Sequence, residues 1–286
     1  NNHAWRICAL LGEFSKKDDP RGWHFGGNSE TLRHDKIWER VAQFWKDTYS
    51  SDMMKLVMSS NHSFDEMEKF LVCFSKIKRN DQISKKGKFC RELAQGEEVN
   101  LDFCFFDDQY LQKIVQMAPL DDLEELFIFV NLPPAFHLFR KNPYSLIKFL
   151  FTSPEPDGLL ARLKNEGLAF ALSMSYGYFG EWTQVKITVG LTNKGCEAYR
   201  RVLDLIGAYL RSMRVDERDF ARLKRLQEEK FRISQPKEQL EHARDLATHM
   251  QRFPVEHVMD HEYVYESFDP ELIGSIVKMI GDYSRW

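Results

Sequence analysis

The chain has 286 residues, of which 43% are hydrophobic and 29% are charged, and its formal net charge at pH 7 is -3. This length is sufficient for one large domain or two ordinary ones, and the composition is typical of a globular protein. A net charge this small gives no reason to expect a nucleic acid or an anionic membrane as a partner, and no apolar run is long enough for a transmembrane helix.

The cysteine pattern and the first residues bear on the compartment. The five cysteines are scattered and form no Cys-x-x-Cys pair: Cys8, Cys73, Cys90, Cys104 and Cys196. Unpaired thiols favour a reducing compartment, and we expect each to be a buried structural residue. The N-terminal residues resemble neither a signal peptide nor a transit peptide. We therefore expect a cytoplasmic protein.

The first 78 residues predict part of a domain. Apolar residues near the start have helical spacing, and a polar loop leads to the segment Gly26–Leu32, which indicates a turn and a helix cap. A helix with one apolar face follows around Val41, then a short strand at Lys55–Ser59. A capping box at Ser63–Glu66 opens another helix. This helix is expected to bury four apolar side chains: Phe64, Met67, Leu71 and Phe74.

A polar segment and three predicted strands come next. Arg79–Asn100 contains lysines and glycines and is predicted to be a linker. Strands are expected at Asn100–Phe106, Tyr110–Met117 and Glu125–Leu132. The last of these is apolar at nearly every position, which predicts a central strand with Phe129 in the core.

The segment Pro143–Thr192 has the clearest pattern in the chain. Two apolar helical stretches are joined by a Ser-Pro-Glu-Pro-Asp-Gly turn, and two strands, Ala169–Tyr176 and Gln184–Leu191, follow them. A long helix begins after Thr192, and capping residues at Asp216 and Asp269 open two more. The order of helices and strands predicts an antiparallel sheet that is covered by helices.

Several short motifs in this segment and near the start occur in a characteristic order. They are Ala4-Trp5-Arg6, Gly26-Gly27-Asn28-Ser29-Glu30-Thr31-Leu32, Gly158-Leu159-Leu160, Gly167-Leu168 and Leu191-Thr192-Asn193-Lys194-Gly195. In these motifs the chain resembles the pitrilysin/insulinase family of zinc metallopeptidases, also called M16. The resemblance implies an α+β fold with two related domains, each a largely antiparallel sheet covered by helices. Residues 1–78 would be the C-terminal part of the first, peptidase-type domain, 79–100 a linker, and 101–286 a second, non-catalytic domain.

The resemblance also implies where the zinc lies. The family binds zinc through a His-x-x-Glu-His helix and a later Glu, since two imidazoles one turn apart can face one metal ion. That motif is absent from this sequence. We therefore expect the zinc of the parent protein to be bound upstream of Asn1 and expect neither catalytic residues nor metal ligands in this chain. His257 and His261 have the right spacing, with Asp260 between them, but are interpreted as surface histidines.

Peptide binding is the most plausible activity of this segment. The strand Ala169–Tyr176 alternates small and large side chains, and its free amides could pair with an extended peptide if it lies at an edge. Ordinary pairing within a sheet is the alternative. In the family, the matching strand holds the N-terminal part of the substrate, which implies Leu172, Ser173 and Met174, together with Trp5, as candidate substrate-binding residues. The insulin-degrading members have a His-Glu-Gly turn beside this strand, where this chain has Ser153-Pro154-Glu155.

The expected function is therefore that of the non-catalytic portion of a zinc metalloendopeptidase, which helps to enclose and position peptide substrates. Its expected partners are a peptide and the N-terminal and C-terminal parts of the parent enzyme. The alternative is a metal-free M16 homologue that serves as a scaffold or assembly subunit.

Overall fold

The structure, a computed structural model, describes residues 3–16, 29, 32–33, 35–80, 106–118, 124–179, 182–235 and 238–286. The chain divides into two compact units. The larger unit comprises residues 1–26, 99–229 and 264–286, and the smaller unit comprises residues 27–98 and 230–263. Most of the predicted linker, residues 81–100, lies outside the described residues, so the domain division at residues 78 and 100 stays a prediction.

The described helices and strands are as follows. The helices are α1 (His3–Glu13), α2 (Ile37–Thr48), α3 (Phe64–Leu71), α4 (Pro143–Phe151), α5 (Leu159–Asn165), α6 (Asn193–Glu197), α7 (Tyr199–Ser212), α8 (Glu217–Arg232), α9 (Gln239–His249) and α10 (Pro270–Ile280). The strands are β1 (Glu125–Leu132), β2 (Ala169–Tyr178) and β3 (Thr183–Leu191). In the part of the chain that the structure describes, none of the helices has the length and apolar character needed to cross a membrane.

The three strands form an antiparallel sheet in the larger unit, in the order β1-β3-β2. This arrangement confirms the predicted α+β fold with an antiparallel sheet. The expectation that β1 is central is wrong within the described residues, because β3 lies in the middle. β1 is apolar on both sides for a different reason: Ile128 and Val130 face the main core, while Phe129 packs on a small second cluster around Phe106 and Trp182.

The main core lies between one face of this sheet and helices α4, α5, α7 and α10. Val185, Ile187 and Val189 of the central strand are completely buried, and Met174 of β2 is 1% exposed. The helices contribute fully buried side chains at helical spacing, among them Leu146, Ile147, Phe151, Leu159, Leu163, Val202, Ile206 and Ile280. Burying each such side chain contributes about 1.5–3 kcal/mol, so this core holds β2 and β3 in place.

The predicted strand at Tyr110–Met117 is wrong, because this segment is a turn followed by irregular chain. Gln112 has a left-handed backbone with φ of 59° and donates its N–H to the carbonyl of Trp286 at 2.8 Å. The segment is therefore held by the C-terminus instead of by a neighbouring strand. Of the strand predicted at Asn100–Phe106, only Phe106 is described, and it forms an isolated antiparallel bridge with Ser15.

The smaller unit contains α2, α3 and α9. The capping box is confirmed: the Ser63 hydroxyl accepts the Glu66 N–H at 3.4 Å, and the Glu66 carboxylate accepts the Ser63 N–H at 3.0 Å. The expected burial of the α3 side chains is wrong. None of its residues is buried, and Phe64 is 88% exposed, because no described part of the chain covers this face. The expected strand at Lys55–Ser59 is irregular chain.

The described cysteines are free thiols on the surface. Cys8, Cys73 and Cys196 are all exposed, so the expectation that they are buried structural residues is wrong. The Cys73 thiol lies two residues after the end of α3 and donates to the Phe70 carbonyl at 3.1 Å. Cys90 and Cys104 lie outside the described residues.

Candidate functional site

Strand β2 lies at an edge of the described sheet, as the binding hypothesis requires. Its side chains alternate: Met174 is buried in the core and Leu172 packs against the core, whereas Ser173 and Ser175 are exposed on the opposite face. Phe170 departs from the predicted pattern, because the register shifts between Ala169 and Ala171 and turns its ring onto the exposed face, where it is 50% exposed. The small residues thus form a flat row on the outer face of the edge strand.

The direction of the main-chain groups of β2 follows from its register. The Phe179 N–H donates to the Trp182 carbonyl at 2.9 Å, and the pairing stays regular from there back to Ala171. Hydrogen-bonded and non-hydrogen-bonded pairs alternate along an antiparallel ladder. Ser173 and Ser175 therefore direct their N–H and C=O groups toward β3, while those of Leu172 and Met174 point out of the sheet. Within the described residues no further strand pairs with this side of β2, so these outward groups can accept an added strand.

The start of β2 is fixed by a rigid joint, which we define by Gly167, Leu168, Thr192 and Gly195. Gly167 has φ of +69°, a backbone conformation that residues other than glycine rarely adopt. The Thr192 hydroxyl donates to the Gly167 carbonyl at 2.7 Å and accepts the Gly195 N–H at 3.0 Å, while the Thr192 N–H donates to the Leu168 carbonyl at 3.1 Å. The motifs Gly-Leu and Leu-Thr-x-x-Gly are therefore the two halves of one structural joint.

His257 and His261, the two histidines with the spacing of a metal site, lie in the smaller unit and contact other side chains. The His257 Nδ1 is 3.0 Å from an Asp260 carboxylate oxygen. The expectation that both are surface residues is wrong for His261, which is buried with its ring stacked on Phe253 at a centroid distance of 3.9 Å. Burial lowers the pKa of His261. Among the described residues no three His, Cys, Asp or Glu side chains are placed to hold a metal ion.

Comparison with known proteins identifies the family. The model of the peptidase M16 inactive domain matches residues 38–227, two thirds of the chain. The chain belongs to the peptidase M16 family. Nardilysin from Homo sapiens is 24% identical over 286 residues, a match that covers 95% of this chain and 24% of nardilysin. The insulin-degrading enzyme of Drosophila melanogaster is 25% identical over 303 residues, which cover 98% of this chain and 28% of the enzyme.

A solved structure confirms the fold. The crystal structure of pitrilysin superimposes with a TM-score of 0.85 at 21% sequence identity, over 99% of this chain and 30% of pitrilysin. The chain therefore spans about a quarter to a third of the length of these relatives. The resemblance to M16 proteins that the motifs predicted is confirmed by this match and by the family model.

The turn that replaces His-Glu-Gly in this M16 chain is held by its own backbone. Gly158 donates its N–H to the Glu155 carbonyl at 2.9 Å, and a side chain at this position would clash with the Ser153 carbonyl at 2.7 Å. The Glu155 carboxylate lies 3.4 Å from the Arg222 guanidinium. Glycine is therefore required before α5 for steric reasons, and Glu155 already has a cationic partner.

Trp5 lies on α1 and is 58% exposed. The next residue, Arg6, donates to the Ala118 carbonyl at 2.9 Å. Further along the same segment, Leu11 and Phe14 pack on the second cluster, next to the turn between β2 and β3. The structure thus places α1 in the larger unit with β2, and the roles of Trp5, Leu172, Ser173 and Met174 in substrate binding stay predictions.

Lys186 of β3 also lies beside the candidate binding strand, although it was not predicted from the sequence. It is paired with Ser175 across the sheet and lies on the same outer face. Its ammonium group is 5.4 Å from the centroid of the Phe127 ring. A signal was available, since Lys186 is the one charged residue of the strand Thr183–Leu191. In a half-buried strand, such a residue indicates the face that lies away from the core.

Proposed function

We propose that this chain is the non-catalytic portion of a zinc-dependent metalloendopeptidase of the pitrilysin and insulin-degrading type, and that it helps to enclose and position peptide substrates. Membership of the M16 family supports the proposal, as do relatives named insulin-degrading enzyme and, in Schizosaccharomyces pombe, putative zinc protease. Under this proposal the zinc is bound by another part of the parent protein. The partners of the chain are a peptide and the remaining parts of the enzyme, in the cytoplasm.

The observation that carries the proposal is the open edge of β2. An extended peptide can continue the sheet by pairing with the outward main-chain groups of Leu172 and Met174. Main-chain pairing does not depend on the peptide sequence, which suits an enzyme that must hold varied substrates. The small side chains of Ala171, Ser173 and Ser175 leave room for the side chains of the added strand.

Proline substitutions test the edge. Leu172→Pro removes a donor that points out of the sheet, so the fold should persist and peptide affinity should fall about threefold to tenfold, the value of one or two hydrogen bonds. Ser173→Pro removes a donor to β3, so it should unfold the larger unit. The matched control is Leu172→Ala, which keeps the main-chain donor and should keep peptide affinity.

The measurement is the affinity of the full-length protein for a long unstructured peptide, with a metal chelator present to prevent cleavage and circular dichroism to report folding. A folded Leu172→Pro protein with unchanged affinity would contradict strand addition at β2 and move the search to the surface around Trp5. The scaffold alternative is tested on the same protein: one tight zinc and a His-x-x-Glu-His motif upstream support the peptidase, and the absence of both supports a scaffold.

A further inference from the structure

The outer face of the sheet has two distinct halves. β1 presents Phe127 and Phe129, whose rings are stacked with centroids 6.3 Å apart. β2 presents the flat row of small residues at the edge. Between the two halves, β3 presents Lys186 and Thr188, both half-buried. The aromatic side chains of β1 extend further from the sheet than the small side chains of β2, and Lys186 lies between them on β3.

Lys186 keeps its charge available. Its ammonium group leans toward β1 and lies over the Phe127 ring at 5.4 Å, a weak contact between a cation and an aromatic face that the flexible side chain can exchange for a carboxylate on the β2 side. No carboxylate of the described residues forms an ion pair with it. Glu125 lies on the same face but four positions along β1 from Phe129, the β1 partner of Lys186. Among the residues that the structure describes, the centre of this face therefore carries a positive charge without an ion-pair partner.

A strand added to β2 would bring one of its side chains within reach of this charge. Ser175 and Lys186 are directly paired, and the peptide residue opposite Ser175 would form a non-hydrogen-bonded pair with it on the same outer face. The Cα spacings of the two pair types place that residue about 10 Å from the Cα of Lys186. Ser175 is the residue of the sheet that lies between them, and its side chain is small, so a long side chain can extend over it to meet the lysine.

We propose that this site selects peptides with a Glu side chain at the position opposite Ser175, where its carboxylate pairs with the ammonium of Lys186. The inference rests on the strand addition proposed above and adds to it the class of substrate. Ser175 and Lys186 are both needed. A bulky residue at position 175 would keep the peptide carboxylate from reaching the lysine, and a neutral residue at position 186 would remove the preference for an acidic peptide.

The experiment uses the full-length protein, chelated as before, and 12-residue peptides that are identical except for the position of one Glu. We expect one peptide of the series to bind twofold to fivefold more tightly than the all-neutral peptide, the range measured for partly exposed ion pairs, and expect this gain to shrink as the salt concentration rises. Replacing that Glu by Lys should weaken binding by a similar factor.

Charge reversal at Lys186 gives the decisive comparison. Lys186→Glu should abolish the preference for Glu and favour the Lys peptide, whereas Lys278→Glu, on the exposed side of α10, makes the same change in net charge and should leave the preference intact. A Lys186→Glu protein that ranks the peptides as the unchanged protein does would overturn the inference. Leu172→Pro separates the two proposals: if it weakens all peptides equally while the Glu scan is flat, strand addition stands and the acidic preference fails.

Discussion

The rigid joint at the start of β2 predicts that Gly195 cannot be replaced without a large loss of stability, and Gly207 in α7, which is also buried, provides the matched comparison. A Cβ atom on Gly195 would lie 1.8 Å from the carbonyl oxygen of Leu168, a main-chain atom. That carbonyl accepts the Thr192 N–H, so it cannot move away without breaking the joint. A Cβ atom on Gly207 would lie 2.0 Å from the hydroxyl of Tyr283, the end of a side chain that is 37% exposed and can swing aside.

The expected costs follow from what has to move. Overpacking against fixed structure costs typically 1–3 kcal/mol and sometimes more, so Gly195→Ala should destabilise the larger unit by about 3 kcal/mol. In Gly207→Ala, the gain in helix propensity of about 1 kcal/mol offsets the displacement of Tyr283 and its bond to the Leu203 carbonyl, so the net change should be within about 1 kcal/mol of zero.

Urea titration followed by far-UV circular dichroism measures both changes, with thermal melting as a second readout. At roughly 2–4 °C per kcal/mol, Gly195→Ala should lower the melting temperature by about 6–12 °C. Equal effects of the two substitutions would refute the reasoning, because the argument depends on the difference between a main-chain and a side-chain neighbour. A loss below roughly 1 kcal/mol for Gly195→Ala would show that the joint yields easily.

Ile187→Ala in the central strand should cost about 3–4 kcal/mol in urea titrations, whereas half-buried Phe129→Ala should cost less than the 3–5 kcal/mol of a fully buried phenylalanine; the reverse order would mean that β1 is the central strand. Limited trypsin digestion should cut first within Arg79–Asn100, and early cuts inside α7 would contradict that boundary. Metal analysis should find no stoichiometric zinc on this chain alone, and a tight zinc lost in His257→Ala would show otherwise. The ammonium group of Lys141 and the Leu272 N–H lower the pKa of Asp269, so its carboxylate stabilises the fold above the ordinary aspartate pKa of about 3.9, and this stabilisation is lost as pH falls through the lower pKa of the folded state. Asp269→Asn should therefore destabilise α10 at pH 7 but not in strong acid, and urea titrations at both pH values measure the difference.

Local patterns predicted the elements that local physics determines. The capping box at Ser63, the cap at Asp269, and the strands β2 and β3 follow from residues close in sequence, and all are present. The prediction that β1 is the central strand was wrong because apolar residues on both faces indicate that a strand is buried, and do not indicate its place in the strand order. The prediction that Phe64 is buried was wrong because the sequence shows that α3 has an apolar face, but it does not show whether another part of the chain covers that face.

The candidate site shows the same division. Alternation of small and large residues correctly placed Leu172 and Met174 on one side of β2 and Ala171, Ser173 and Ser175 on the other, but it was wrong for Ala169 and Phe170, which precede the register shift. It could not predict which amides point out of the sheet, because that depends on whether the turn between Phe179 and Trp182 places odd-numbered or even-numbered residues in hydrogen-bonded pairs. Nor could it reveal Lys186 beside Ser175, since the register of β2 on β3 is a property of the folded sheet.

The strand order β1-β3-β2 has a consequence for the route by which the sheet assembles. The innermost pair of β2 and β3, Tyr178 and Thr183, is separated by a short turn, while Leu132 must reach the same Thr183 across a segment roughly ten times longer. Closing the longer loop costs about 2 kcal/mol more in chain entropy. The β2–β3 hairpin should therefore form first and β1 should join late, so that amides of β1 exchange with deuterium earlier than those shared by β2 and β3.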